Sequence, residues 1–205
     1  MRNTISKHLT GSGPAPDPVA AALADLPAGV AAKWFSTPLV PAAVLVPLVL
    51  HESGMTVLLT QRTAHLNDHP GQVSFPGGRV EPDDQGPLNT ALREVHEEIG
   101  IGPELVQVAG YLKPMAVVTG FAVTPVVGFI EPGFELTPDR FEVAEVFEVP
   151  LAFFLDEANL THSTRTVRGI TVPLFEYQYQ EYRIWGATAQ MLQGFIKIIN
   201  KNKEI

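Results

Sequence analysis

The spacing of apolar residues divides the chain into short elements. Residues 42–50 and 55–60 are β-branched or leucine-rich, and His51-Glu52-Ser53-Gly54 between them supplies a turn, so the two segments predict a strand pair. A long loop over 61–73 and an extended piece over 74–80 containing Phe75-Pro76-Gly77-Gly78 follow. Over 87–99 the period changes. Leu88, Ala91, Leu92, Val95 and Ile99 fall at i, i+3, i+4, i+7 and i+11, one continuous helical stripe, with Gly100 where a left-handed C-cap is expected. Further strands are predicted at 106–112, 121–130, 144–149, 170–176 and 182–185, with a helical turn at 151–155 and a closing helix over 187–200. Upstream, residues 1–16 are polar and rich in Gly, Pro and Ser, and read as poorly ordered. Residues 17–26 read as a short helix, with Asp17 as cap and Pro18 at its first position.

Strands bracketing one strongly patterned helix, with a second helix at the end, indicate an α/β fold in which a mixed sheet lies between helices. The 205 residues, 45% of them hydrophobic, suffice for one core. Residues 1–35 therefore read as an N-terminal extension, partly disordered with a short helix, and 36–205 as the domain.

Charge and composition narrow the function. The net charge of −8, from 14 basic and 22 acidic residues, argues against binding to nucleic-acid backbones, which depends on cationic neutralisation of phosphates. The absence of cysteine excludes disulfides, thiolate metal sites and cysteine nucleophiles. The longest apolar stretch, 38–50, is short and broken by Pro41 and Pro47, so no membrane span is expected. The N-terminus lacks the apolar core of a secretion signal. A cytoplasmic protein is the expectation.

The candidate chemistry lies in Arg93-Glu94-Val95-His96-Glu97-Glu98-Ile99-Gly100. Spacings of three and four residues bring Glu94, Glu97 and Glu98 towards one side of the helix, away from Leu92, Val95 and Ile99. Such like charges repel, so their grouping is explained either by an ordinary solvated acidic face or by a cation held among them. Hard oxygen ligands select Mg²⁺, Mn²⁺ or Ca²⁺, and Mg²⁺ commonly combines a few carboxylates with substrate phosphate oxygens. The paired glycines upstream favour the second explanation, because they let backbone approach a ligand or offer a carbonyl to a metal.

Taken together these residues resemble the Nudix signature, Gly-x5-Glu-x7-Arg-Glu-(apolar)-x-Glu-Glu-x-Gly-(apolar). The chain supplies Gly78, Asp84, Arg93, Glu94, Val95, Glu97, Glu98, Gly100 and Ile101. Asp84 stands for the Glu, and eight residues rather than seven separate it from Arg93. The resemblance extends to the coenzyme A pyrophosphatase subgroup through Leu58, Leu59, Thr60, Arg62, Gly71 and the run Phe75 to Gly78. Thr63 and Asn67 depart from its pattern, the latter replacing an Arg.

The resemblance implies a Nudix-type mixed sheet sandwiched between helices and hydrolysis of a pyrophosphate bond with Mg²⁺ or Mn²⁺. It implies Glu94 and Glu98 as metal ligands, with Glu97 and the Gly77 carbonyl as further ones, and Glu142 as general base with Glu97 the second choice. Arg93 belongs to the catalytic set by holding the box loop, through Asp84 or a carbonyl, rather than by touching substrate. Arg62, Asn67, His69 and Gly78 are the candidates to meet a small nucleotide substrate, although for His69 a loop histidine bonded to its neighbours is an equal reading. Coenzyme A or a derivative is the implied substrate. ADP-ribose or another nucleoside diphosphate derivative is the alternative, and a nucleotide-sensing domain without catalysis a third. Tyr177, Tyr179, Tyr182 and Trp185 read as core packing or the surface of a homodimer.

Overall fold

The computed structural model describes residues 1–66 and 68–200. Three short helices, α1 (Arg2–Leu9), α2 (Pro18–Leu23) and α3 (Val30–Trp34), precede the strands β1 (Val40–His51), β2 (Gly54–Arg62), β3 (Val73–Ser74) and β4 (Gly77–Arg79). The patterned helix α4 (Pro87–Ile99) comes next, then β5 (Val106–Tyr111), β6 (Met115–Val117), β7 (Phe121–Ile130) and β8 (Val143–Pro150). The chain closes with α5 (Leu151–Leu155), β9 (Leu160–Val167), β10 (Ile170–Tyr179), β11 (Tyr182–Trp185) and α6 (Gly186–Asn200).

The mixed sheet expected from the sequence is an eight-stranded one built around β1. This strand runs parallel to β7 from Val40–Phe121 to Val49–Ile130, and antiparallel to β2 and β4. Both of its faces are covered, so it reads as a near-continuous apolar run rather than an alternating one. Ala43, Leu45 and Val49 pack with Ala91, Val95 and Ile99 of α4 in one core cluster. Ala42, Val46 and Leu48 face a second and larger cluster that includes residues of α1, α5, α6, β10 and β11. The result is helix, sheet, helix, with the antiparallel β9–β10–β11 sheet on the side of α6. Among the described residues, no helix is long and apolar enough to cross a membrane.

The short helix α3 and strand β6 were not expected from the sequence, and two larger features also differ from that expectation. Residues 2–9, expected to be poorly ordered with the rest of 1–16, form α1. Ile5 and Leu9 are 0% and 2% exposed within the larger core. An i, i+4 apolar pair in an eight-residue segment is too short a signal for periodicity to register. Tertiary contacts supply the rest: Arg2 pairs with Glu131 at 3.0 Å and its guanidinium lies 5.3 Å from the Phe129 ring centroid. The second feature is β9, a strand of mostly exposed polar residues that carries no apolar alternation. It is an edge strand specified by its antiparallel register with β10, from Val167–Ile170 to Leu160–Tyr177. The tyrosines are accounted for by packing within the chain. Tyr177 is fully buried, and Tyr182 stacks on Phe147 with centroids 3.6 Å apart.

Because Leu9 is a buried leucine of the main core, Leu9→Ala should lower unfolding free energy by roughly 2–5 kcal/mol, read as an earlier urea midpoint. An unchanged midpoint would mean that the N-terminal segment is a loose tail.

Candidate active site

Helix α4 begins after Gly86 with Pro87 at its first position and ends at Gly100, whose φ of 79° closes the C-cap expected there. The apolar stripe fixes its rotation about the sheet, and this fixes the acidic face. Glu98 is rotated only about 40° from Glu94, whereas Glu97 is about 100° from Glu98 in the other direction. The structure follows that arithmetic. Glu94 and Glu98 are largely buried at 17% and 7%, while the Glu97 side chain is 57% exposed and paired with Arg93. The expectation that three carboxylates converge is therefore corrected to two carboxylates inside and one at the rim. Among the described residues, no three His, Asp or Glu side chains are drawn together tightly enough to hold an ion by themselves.

The glycines of β4 complete the pocket. A side chain at Gly78 would collide with the Glu94 carboxylate, and one at Gly77 with the β1 backbone at Ala43 and Val44. Across from them, the loop after β7 is fastened to the end of α4. Thr137 N–H donates to the Ile99 carbonyl at 3.0 Å and Asp139 N–H to the Glu98 carbonyl at 2.9 Å, taking up carbonyls that a helix C-terminus leaves free. A turn at Asp139, with Glu142 N–H and Val143 N–H both donating to its carbonyl, delivers Glu142 to the cluster. Arg62 at the end of β2 lies 4.0 Å from Glu142. The site thus brings together Arg62, Gly77, Gly78, Glu94, Glu98 and Glu142.

Electrostatics single out Glu98. Burial pushes its carboxyl up to about 8, and the charges of Glu94 and Glu142 add to the rise, against Arg62 and the Gly77 backbone. Its Oε2 is buried without a hydrogen-bond partner, as is Nε of Arg62. Glu94 is also raised by burial, but Arg93 opposes the shift. An orphaned buried carboxylate oxygen beside a second carboxylate suits a hard divalent cation. Backbone, water and substrate oxygens are left to complete its shell, as Mg²⁺ commonly requires.

Arg93 is a positioning residue. Its Nε and Nη2 donate to Asp84 at 3.2 and 3.0 Å, Nη2 also donates to the Arg79 carbonyl at 3.0 Å, and Nη1 reaches Glu94 at 3.0 Å and Glu97 at 3.1 Å. Asp84 takes further hydrogen bonds from Thr90 Oγ1 and Glu81 N–H. The Arg93 guanidinium, helped by those donors, holds the Asp84 carboxyl down to about 2. Asp84 therefore does the work of a structural anchor for the loop between β4 and α4, despite its altered spacing. No sequence signal pointed to Thr90, which completes that anchor, or to Asp139, which sets the turn before Glu142. Thr90 acts through a bond to Asp84 in the preceding loop, and Asp139 is held by its N–H bond to the Glu98 carbonyl, distant in the chain.

One other candidate stands apart. The His69 Nδ1 is bonded to Gln72 Oε1 at 2.8 Å, with φ at 56°, so the ring is engaged within its own loop. Asn67 lies outside the described residues.

In the metal-free protein, the elevated Glu98 carboxyl means that the folded state holds a proton that the unfolded state has released. Stability should therefore fall as pH rises from about 4.5 to about 8. Glu98→Gln removes that fall. In the presence of chelator at pH 8, the variant should melt above the wild type by at least roughly 2–4 °C, the shift for about 1 kcal/mol in a domain of this size. Parallel melting curves across the whole pH range would contradict the assignment of burial as the cause.

Comparison with known proteins agrees with the fold. A family model described as the NUDIX domain matches residues 39–166. The chain is 45% identical over 152 residues to the uncharacterized Nudix hydrolase NudL of Enterobacter sp. (strain 638), covering 74% of this chain and 79% of that protein. It is 46% identical over 153 residues to the protein of the same name from Pectobacterium atrosepticum, covering 74% and 78%. Among solved structures, the MutT protein from Methanosarcina mazei Go1 superposes with a TM-score of 0.53 at 20% identity, over 83% of this chain and 99% of that one, a likeness of fold. The chain belongs to the Nudix family and is a Nudix hydrolase.

Proposed function

We propose that the chain hydrolyses the pyrophosphate link of coenzyme A or its acyl derivatives, giving 3′,5′-ADP and (acyl-)4′-phosphopantetheine. The observation that carries the hydrolytic part is the buried, unpartnered oxygen of Glu98 beside Glu94, a place built for a cation rather than for a protein partner. The coenzyme A part rests on the motif from Leu58 to Gly78, and the 42–46% identity to NudL proteins agrees with the family assignment. A bound Mg²⁺ or Mn²⁺ would neutralise charge on the phosphoryl oxygens and lower the pKa of the attacking water.

The roles of the chain's own residues follow from position. Glu94 and Glu98 hold the ion, with the Gly77 carbonyl as the backbone ligand, and Gly78 leaves room for the Glu94 carboxylate against β4. Arg62, with a free buried Nε, offers a cation to a phosphate oxygen in a pocket that is otherwise acidic. Glu142 is 45% exposed at the open side of the cluster, and accepts the proton of the attacking water as the new P–O bond forms and the bridging P–O bond breaks. Glu97, at the rim on Arg93, is the second choice of base. Arg93 keeps Glu94 and the β4–α4 loop in register. All three box glutamates are present, and this favours catalysis over nucleotide sensing.

A substrate panel of coenzyme A, ADP-ribose and dinucleoside polyphosphates, with Mg²⁺ or Mn²⁺ and products resolved by chromatography, tests the reading. Coenzyme A should be cut to the two named products, and Glu98→Gln should lower kcat/KM by roughly 10²–10³-fold or more. Cleavage of ADP-ribose or dinucleotides alone would overturn the coenzyme A assignment. Nucleotide binding without cleavage would overturn catalysis.

A further inference from the structure

The loop after β2 and the turn before β8 face each other across the mouth of the site, and two side-chain rungs span them. The first is Arg62 with Glu142, at 4.0 Å. The second is His65 with Phe141, whose ring centroids are 4.9 Å apart at an interplanar angle of 60°. The aromatic rung has no place in the chemistry described above, and Phe141 is 65% exposed, the highest value among the large apolar residues of the described chain.

An exposed aromatic ring at a loop tip is unremarkable when its backbone is loose, but Phe141 is pinned on both sides. Its N–H donates to Asp139 Oδ1 at 2.9 Å and its carbonyl accepts from Thr63 Oγ1 at 2.8 Å. Thr63 N–H in turn donates to the Glu142 carbonyl at 2.9 Å. The Asp139 turn that delivers Glu142 to the carboxylate cluster thus also fixes the Phe141 backbone, and its ring lies in solvent. Folding gains little from a phenyl ring left in water, whereas a planar ligand laid on it would bury both surfaces.

We propose that the His65–Phe141 pair is the platform on which the nucleobase of the substrate stacks. This deepens, and rests on, the reading of the site as one that cuts a nucleoside diphosphate conjugate. The diphosphate occupies the charged rung and the carboxylates behind it, and the base continues outward onto the aromatic rung. Stacking on a phenyl face uses the π-surface common to all bases, so the platform supplies affinity with little discrimination among them. It also gives the chain a grip on a nucleotide that does not depend on cations, which are scarce in a protein of net charge −8.

The test compares ADP with inorganic pyrophosphate, by calorimetry on the full chain with saturating Mg²⁺. Wild type should bind ADP more tightly than pyrophosphate. Phe141→Ala, at an exposed position whose hydrogen bonds are all made by backbone, should weaken ADP by roughly 5- to 150-fold, the loss expected for one stacked base, and leave pyrophosphate as it was. Phe141→Trp should restore ADP binding. Equal affinities for the two ligands in wild type, or equal losses for both in Phe141→Ala, would overturn the platform while leaving the diphosphate site standing. Failure of both ligands to bind would overturn the two readings together. A concentration-dependent dimer that Phe141→Ala dissociates without changing ADP affinity would instead assign the ring to contact between two copies.

Discussion

A carboxylate with one buried oxygen left unpartnered is the constraint around which this site is arranged. Glu98 follows the apolar stripe and precedes Ile99, which is fully buried against the sheet, and is itself only 7% exposed. Full burial of side chains such as Val95 and Ile99 contributes roughly 1.5–3 kcal/mol each, while an unsatisfied buried polar group costs about 1–3 kcal/mol, and more if charged. The apolar stripe therefore wins, and Glu98 is carried inward whatever its own preference. Alone, it answers by keeping its proton, which is why burial lifts its carboxyl to about 8. A divalent ion relieves the same cost by replacing the proton.

The remaining acids are handled so that this strain stays local. Arg93 ties down Asp84, Glu94 and Glu97 at once and grips the Arg79 carbonyl, so the loop and the helix form one rigid unit. Gly77 and Gly78 let β4 lie against β1 and the Glu94 carboxylate, where any side chain would intrude. On the far side, Thr137 and Asp139 fasten the post-β7 loop to the helix end, and Thr63 fastens it to β2. Two separate parts of the chain thus meet over the same two carboxylates, one supplying Arg62 and the other Glu142.

How much of this was legible in the sequence depended on how local each signal was. The helix over 87–99, its glycine cap and the strands at 121–130 and 182–185 were plain, because period and capping are properties of consecutive residues. The pairing of Arg93 with Asp84 could be anticipated from the chemistry of a guanidinium fork nine residues away. Helix α1 could not, since Ile5 and Leu9 gain their meaning from a core assembled out of distant strands, nor could β9, whose polar residues take their conformation from β10. Counting spacings treated Glu97 as equivalent to Glu94 and Glu98, although the helical angle separates it by about 100° from Glu98. Phe141 carried no motif at all, because its exposure and its facing of His65 arise from hydrogen bonds made across the fold.

What the buried Glu98 carboxylate should do is hold a divalent ion. Electron paramagnetic resonance of free Mn²⁺, titrated with wild type and with Glu98→Gln, measures it directly. The wild type should take up Mn²⁺, and the variant's affinity should be weaker by more than roughly 10–100-fold, the loss typical of disturbing even an outer-shell partner. Equal uptake by the two proteins would contradict it.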